Sequence, residues 1–166
     1  MALRNILTKE EPALYKTSRP VTDFNGRLHQ LLDDMNETLA EAGGVGLAAP
    51  QVGILRRAVL VVVTYVPVGE DVFVIELINP EIIEATGEQE GAECCLSVAG
   101  EYGIVKRPMH VKVRAQDRDG EWFEVEGDGL TARCFCHEID HLNGIVFTSK
   151  CERMLSEDEI ATGEEE

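Results

Sequence analysis

The chain has 166 residues, of which 44% are apolar, and this is enough for the hydrophobic core of one domain. Its 15 basic and 31 acidic side chains give a net charge of −16, which repels nucleic-acid backbones and anionic lipid surfaces. The composition therefore argues against a second domain and against direct nucleic-acid or membrane partners.

The first residues mix charges and lack the apolar core of a secretory signal. No apolar run is long enough to cross a bilayer. Five cysteines, an odd number in a chain without a secretion signal, favour reduced thiols over a disulfide framework. We therefore expect a cytoplasmic protein.

The predicted elements begin with an amphipathic helix over residues 21–42, where apolar residues recur at helical spacing. Thr22 is its expected N-cap, and Gly43-Gly44 should end it. The apolar pattern then shortens to strand period. Asp117-Arg118-Asp119-Gly120 is expected to form a hairpin turn between the last two strands. The predicted strands are 58–63, 72–78, 80–84, 103–105, 110–115 and 122–125.

A second helix should follow, with Asp128 as its cap, an end near Leu142 and Gly144 as its stop. The order of one helix, many strands and one helix predicts an α+β fold with mostly antiparallel β-sheets packed around this central C-terminal helix. A doubly wound parallel sheet is not expected. Residues 1–150 should form the single domain, and the acidic tail, residues 151–166, should fray.

The most informative stretch lies on the second helix and reads His137-Glu138-Ile139-Asp140-His141. Residues four apart share one helix face, so His137 and His141 can hold one metal ion while Glu138 reaches the edge of its coordination sphere. The alternative is a helix whose histidines are ordinary polar residues, because this short motif also arises by chance.

Helical spacing sorts the remaining residues of this helix into two stripes. Leu130 and Cys134 share the stripe of the two histidines, so they would wall a pocket beside a bound metal. The other stripe should lie in the core, and it consists of Phe135, Ile139 and Leu142.

A catalytic zinc-type site needs a third protein ligand besides a water molecule. No histidine follows His141, although glutamates downstream remain formal candidates. Upstream, Cys94 and Cys95 offer thiolates. Neighbouring residues of an extended segment point to opposite faces, so only one of the two can face the helix.

Three segments together resemble the signature motifs of the peptide deformylase family, in their order and their spacing. They are Gly44 to Gln51 (GVGLAAPQ), Glu93 to Ser97 (ECCLS) and His137 to His141 (HEIDH). The likeness extends from Met1 to about Lys150. It implies a metal-dependent hydrolase that removes the formyl group from the N-terminal formylmethionine of newly made proteins and releases formate.

The resemblance also assigns roles in the reaction. The family pattern E-G-C-L-S makes Cys95 the third metal ligand beside His137 and His141. Glu138 would accept the proton of the attacking water and deliver it to the leaving amine. The developing oxyanion would be stabilised by the last two residues of this set, through the backbone N–H of Leu96 and the side-chain amide of Gln51.

Substrate binding is implied at three further positions. Gly46 would let an extended peptide approach the backbone. The methionine thioether would lie against Leu130 and Cys134, a soft and adaptable contact. The expected substrates are therefore N-formylmethionyl nascent peptides.

One divalent metal is expected, Fe(II) by resemblance, with Zn, Ni or Co as alternatives, since thiolate and imidazole ligands suit several of these ions. A transient ribosome contact is left open. Because the tail is acidic, we expect tail-mediated docking on ribosomal RNA to be weak or absent.

The chain departs from the family pattern at Cys94, which replaces the usual glycine, at Ala99, where proline is common, and at Cys136, which replaces a frequent glutamine. Arg107 could pair with Glu93 or Asp140 behind the site, and surface pairing is an equally good expectation.

Two other functions remain open at this point. A small zinc endopeptidase would share His137, Glu138 and His141 but cleave internal bonds. A non-catalytic structural zinc module would use Cys134 or Cys136 with the two histidines and form a closed site.

Overall fold

The computed structural model describes residues 2–64 and 72–161, and its elements are two antiparallel sheets, three α-helices and three short 3-10 turns. The strands are β1 (Gly46–Ala48), β2 (Ala58–Thr64), β3 (Val72–Thr86), β4 (Gln89–Cys95), β5 (Val98–Arg107), β6 (His110–Gln116), β7 (Trp122–Asp128) and β8 (Arg153–Met154). The helices are α1 (Gly26–Ala42), α2 (Leu130–Leu142) and α3 (Glu157–Ala161), and the 3-10 turns span Pro12–Tyr15, Ala49–Val52 and Phe147–Ser149.

Every strand pairing in both sheets is antiparallel. The larger sheet has five strands in the order β1-β2-β3-β6-β7, and the smaller has three in the order β4-β5-β8. α2 contacts strands of both sheets. This confirms the predicted α+β class with antiparallel sheets around the C-terminal helix.

Strand β2 lies at the centre of the larger sheet and is buried on both faces. Its residues alternate in direction, so Val59 and Val61 pack in one core cluster with Phe135 and Ile139 of α2. Leu60 points the other way, into a second cluster with the apolar face of α1. The larger sheet is therefore covered by α2 on one side and by α1 on the other.

Helix α1 ends as predicted but begins later. Gly43 closes it in the left-handed conformation, with φ of 72°. Asn25, rather than Thr22, is the N-cap, and its side-chain oxygen accepts a bond of 3.1 Å from the backbone N–H of Leu28. A cap must lie directly before the first helical residue to reach these N–H groups, and Thr22 is too far upstream.

Strand β3 joins two strands that the sequence predicts separately. The predicted break falls at Asn79, which has φ of 53° in a shift of register between Ile78 and Glu81. The Asn79 side chain donates to the backbone carbonyl of Val21 and accepts from its N–H, both at 2.9 Å. These bonds hold a bulge, and the strand continues through it.

The sequence patterns did not predict β1, β4 or β8, because these strands are short or carry many polar residues. β8 pairs with β5 and is followed by Leu155, which is only 8% exposed. The expectation that the chain frays from residue 151 is therefore wrong as far as Leu155. Residues 162–166 of the predicted tail lie outside the described residues.

Helix α2 begins without the predicted side-chain cap. Its N-cap is Gly129, and Asp128 ends β7 instead, where its carboxylate accepts a bond of 2.6 Å from His110. Gly144 follows the helix with φ of 76°, as predicted for its stop. Within the described ranges, no helix is both long and apolar enough to cross a membrane.

Candidate active site

The helix α2 carries three polar side chains into the interior between the two sheets. His137, Glu138 and His141 are 8%, 4% and 0% exposed. A histidine pair and a carboxylate are seldom buried without a use, because unpaired polar groups are costly away from water. The site is built around them.

The β4–β5 hairpin supplies a thiol to this helix. Cys95 is the last residue of β4 and pairs with Val98, so the hairpin turn consists of Leu96 and Ser97. Cys95 is buried and Cys94 is exposed, as the alternation of an extended strand requires. Of the two candidate thiols, the fold therefore turns Cys95 toward the histidines.

One group of metal-binding atoms results. Cys95, His137 and His141 each offer a ligand atom, and these atoms lie within 4.8 Å of one another. Cys95 Sγ is 3.4 Å from His141 Nε2. Among the described residues this group contains neither Cys134 nor Cys136. One thiolate and two imidazoles form a donor set typical of a catalytic centre that keeps a position open.

Glu93 orients His137 from the side away from the thiol. Its Oε1 lies 2.9 Å from His137 Nδ1. A ring nitrogen that faces a carboxylate carries the proton, so Nε2 of His137 keeps its lone pair for a metal. Burial lowers the pKa of His141, and the neighbouring His137 lowers it further, which keeps this second ring neutral. Both rings are thus prepared as ligands.

Two arginines neutralise Glu93. Arg107 donates to both of its carboxylate oxygens, at 2.7 and 2.9 Å, and to Asp140 at 2.8 Å. Arg133 donates to Glu93 at 2.9 Å. Burial raises the pKa of Glu93, but the bonds from Arg107 and His137 outweigh it and lower this pKa to about 2. Arg107 therefore makes both of the pairings considered from the sequence.

Sequence reasoning missed Arg133 entirely. This residue lies four positions before His137 and thus on the same helix face, which was the available signal. Its guanidinium also donates to the backbone carbonyl of Val105, at 3.2 Å, and so ties α2 to β5. It holds the helix and the smaller sheet in register behind the site.

Glu138 is the group best placed to move a proton. Burial raises its pKa to about 7, so the carboxyl can both accept and release a proton near neutral pH. Its Oε1 is fully buried and has no hydrogen-bond partner among the described residues. A buried carboxylate oxygen that is left unpaired points to a polar group or ion that this site is built to receive.

Gly46, on the edge strand β1, is in tight contact with Glu138. A Cβ atom at Gly46 would lie 2.5 Å from Oε2 of Glu138, which is closer than real Cβ contacts allow. From the sequence, this glycine was expected to let a peptide approach. The structure shows a second requirement, since the carboxylate occupies the space that a side chain would take.

Gln51 presents the donor end of its amide to the metal-binding group. It is 1% exposed, and its Oε1 accepts a bond of 2.9 Å from Ala48 N–H. Its Nε2 then faces Ser97 Oγ at 3.1 Å and Cys95 Sγ at 3.4 Å. Because the oxygen is engaged, the orientation of the amide is determined. Ser97 is a further residue that the sequence patterns did not single out.

A cavity of about 320 Å³ opens beside these groups. Leu96, Leu130 and Cys134 line it together with Gly46 and Glu138. Leu130 is 64% exposed at the rim, whereas Cys134 is buried. Burial raises the pKa of Cys134 to about 12, so this side chain remains a thiol and gives the cavity a soft apolar wall.

Comparison with known proteins places this geometry in context. The family model for polypeptide deformylase matches residues 3–157. The peptide deformylase of Caldicellulosiruptor bescii is 52% identical over 160 residues, which cover 96% of this chain and 92% of that protein. Peptide deformylase 1 of Bacillus subtilis is 47% identical over 161 residues, covering 97% and 98%.

Solved structures agree with these relatives. A crystal structure of a peptide deformylase from Legionella pneumophila superposes with a TM-score of 0.82 at 41% identity and covers 98% of this chain and 91% of that one. The Met-Ala-Ser-bound class I type b peptide deformylase from Acinetobacter baumannii gives 0.81 at 36% identity, with coverage of 89% and 98%. Fold and sequence thus point to the same family.

Proposed function

This chain belongs to the polypeptide deformylase family, and from that membership we infer the role of each residue in its site. The enzyme is a hydrolase that removes the formyl group from the N-terminal formylmethionine of newly made proteins and releases formate. The observation that carries the assignment of residues is the buried group of Cys95, His137 and His141 with the unpaired carboxylate of Glu138 beside it.

Cys95, His137 and His141 hold one divalent metal ion. Their donor atoms already converge, and Glu93 leaves Nε2 of His137 free to bind. The bound ion lowers the pKa of a water molecule toward neutrality and polarises the formyl carbonyl. The residues therefore fit the metal that this family requires.

Glu138 acts as the general base and then as the general acid. It accepts the proton of the attacking water and delivers it to the nitrogen of the departing methionine. A group serves both steps best when its pKa lies near the working pH, and burial raises the pKa of Glu138 to about 7.

Gln51 and Leu96 stabilise the oxyanion that develops on the formyl oxygen. The Gln51 amide N–H points toward Cys95, and Leu96 directly follows this ligand in the hairpin turn. Each such donor is typically worth about 3 kcal/mol in the transition state. Because both belong to rigid turns, they need no rearrangement when charge develops.

The methionine side chain occupies the cavity beside the metal ligands. Leu130 and Cys134 provide its apolar walls, and the peptide backbone runs along the edge strand β1 at Gly46. Residues on the far side of the peptide are not constrained by this arrangement. The site therefore selects for the first residue of the substrate.

Fe(II) is the proposed resident metal, with Zn, Ni and Co as alternatives that the same donor set accepts. We place the enzyme in the cytoplasm, where formylated nascent chains are made, and propose a transient contact with the ribosome. The strong net negative charge keeps that contact weak, because it opposes binding to ribosomal RNA.

The two competing functions are not favoured. A structural zinc module would recruit Cys134 or Cys136, yet the histidines converge on Cys95 instead. A small endopeptidase would share the histidines and Glu138, but the family match covers almost the entire chain and points to deformylation.

The test is formate release from formyl-Met-Ala-Ser by anaerobically purified, Fe(II)-loaded enzyme. Glu138→Ala, with its metal content measured, is the comparison. We expect robust release by the wild type and a loss of at least about 100-fold in a variant that still binds metal. A fully metallated wild type without activity would contradict the proposed site.

A further inference from the structure

A second cavity, of about 480 Å³, lies beside the start of α1. It shares no lining residue with the active-site cavity. Four arginines and a single carboxylate line it, which is unusual for a chain of net charge −16. We call it the arginine cavity, and these charged lining residues are Arg4, Arg19, Arg27, Arg56 and Asp23.

Two of these arginines are held opposite one another by the backbone. Arg19 and Arg56 are partners in an isolated parallel bridge. Arg19 N–H donates to the carbonyl of Leu55 at 3.1 Å, and Arg57 N–H donates to the carbonyl of Arg19 at 3.0 Å. Like charges directly opposite each other across a strand pair destabilise the fold. An anion between them would remove this cost.

The arginine cavity is not neutralised from within the protein. Arg4 has an acidic partner, Asp34, which it meets at 2.8 and 3.0 Å. Over residues 2–64 and 72–161, Arg19, Arg27 and Arg56 form no ion pair or side-chain hydrogen bond. Three guanidinium groups therefore remain available at one concave surface.

The walls of the cavity differ in character. The start of α1, a helix of 17 residues, adds the positive end of its dipole next to Arg27. The opposite contribution is apolar, from Val21, Leu28, Leu31 and Ile54. A ligand that matches both walls carries a compact negative group and an organic part.

We propose that the arginine cavity binds a small organic phosphate. The phosphate lies between Arg19 and Arg56, whose planar guanidinium groups suit bidentate bonds to phosphate oxygens. The organic part lies on the apolar wall. The volume is within the range of about 300–1,000 Å³ that is typical of small-molecule sites. A small ligand fits better than RNA, because the net charge of −16 repels an extended polyanion.

Calorimetric titration of the metal-loaded enzyme with ADP tests the proposal. The variant is Arg19→Gln/Arg56→Gln, and the matched control is Lys112→Gln/Arg153→Gln, which removes the same charge from surface positions outside the cavity. We expect binding to be at least tenfold weaker in the first variant and unchanged in the control. Binding should also weaken as salt is raised.

Three further measurements keep the outcome clear. Adenosine, which has the same organic part without phosphate, should not bind. Formate release by Arg19→Gln/Arg56→Gln should equal that of the wild type, which would show that the variant is folded and that the proposed deformylase function is intact. ADP that bound only the catalytic metal would bind all three proteins equally.

The proposal is overturned if ADP fails to bind the wild type, or if it binds the arginine variant as well as it binds the control. It is also overturned if adenosine binds as tightly as ADP, or if a short single-stranded RNA binds at the same arginines more tightly than ADP. The last result would identify a nucleic-acid surface instead.

Discussion

Gly46 and Glu138 are packed so closely that the glycine has no room for a side chain. An added Cβ would lie 2.5 Å from the carboxylate oxygen of Glu138 and 2.9 Å from its Cδ and Cγ atoms. The edge strand β1 therefore sets the position of the proposed general base. This contact links the first sequence motif to the third through a physical restraint.

Gly46→Ala should consequently displace the Glu138 carboxylate. We expect kcat to fall about 100-fold while the bound metal remains, since displacements near 1 Å in a catalytic group have effects of this size. Formate release and metal content are measured on the same sample. The control is Gly26→Ala, because an added Cβ there meets nothing within 4 Å. Wild-type kcat in Gly46→Ala would show that the contact is not restrictive.

The ligand assignment predicts a difference between two buried cysteines. Cys95→Ala should reduce the bound metal from one ion per chain to nearly none, because it removes a ligand. Cys134→Ala should keep the metal, since Cys134 lies outside the ligand group. Metal content is measured by atomic emission after dialysis. Equal metal loss in both variants would favour a site that includes Cys134.

The wall of the active-site cavity predicts a change in substrate preference. Leu130→Ser should lower kcat/KM for a formyl-Met peptide about tenfold, which corresponds to about 1.4 kcal/mol of lost apolar contact. A formyl-Ala peptide, which does not reach this wall, should be affected little. Leu3→Ser, at another exposed leucine, is the control. If both substrates lose activity equally, Leu130 does not contact the methionine side chain.

The buried Glu93 cluster predicts acid sensitivity of the metal-free protein. The pKa of Glu93 is lowered from 4.5 to about 2, so its ionised form stabilises the fold above pH 4.5 and this stabilisation is lost as pH falls toward 2. The loss is on the order of 3 kcal/mol. It is measured as the free energy of unfolding in urea from pH 6 to pH 2, compared between the wild type and Glu93→Gln.

Glu93→Gln should unfold more easily at neutral pH and lose less stability on acidification. Glu37→Gln, at an exposed carboxylate of α1, should follow the wild type. Because the first variant leaves Arg107 and Arg133 buried without their partner, it could fail to fold. The carboxyl pKa of Glu93 in the wild type, followed by NMR, then decides, and a value near 4.5 would contradict the prediction.

Much of the architecture follows from local patterns in the chain. Helical spacing identified α1 and α2, and alternation identified β2, β6 and β7, because buried faces repeat with the period of each element. The N-cap of α1, the bulge at Asn79 and the strands β1, β4 and β8 escaped these rules. Each depends on partners distant in the chain, as when Asn79 bonds to Val21.

The sequence by itself determined that His137, Glu138 and His141 share one helix face, because helix geometry relates residues four apart. It also left one of two adjacent cysteines to face that helix, since strand residues alternate. Only the tertiary structure decided that Cys95 faces the histidines, that Arg133 and Arg107 together neutralise Glu93, and that Gly46 leaves space for Glu138. These relationships join residues far apart in the chain, and their distances depend on how sheets and helices pack together rather than on any local rule.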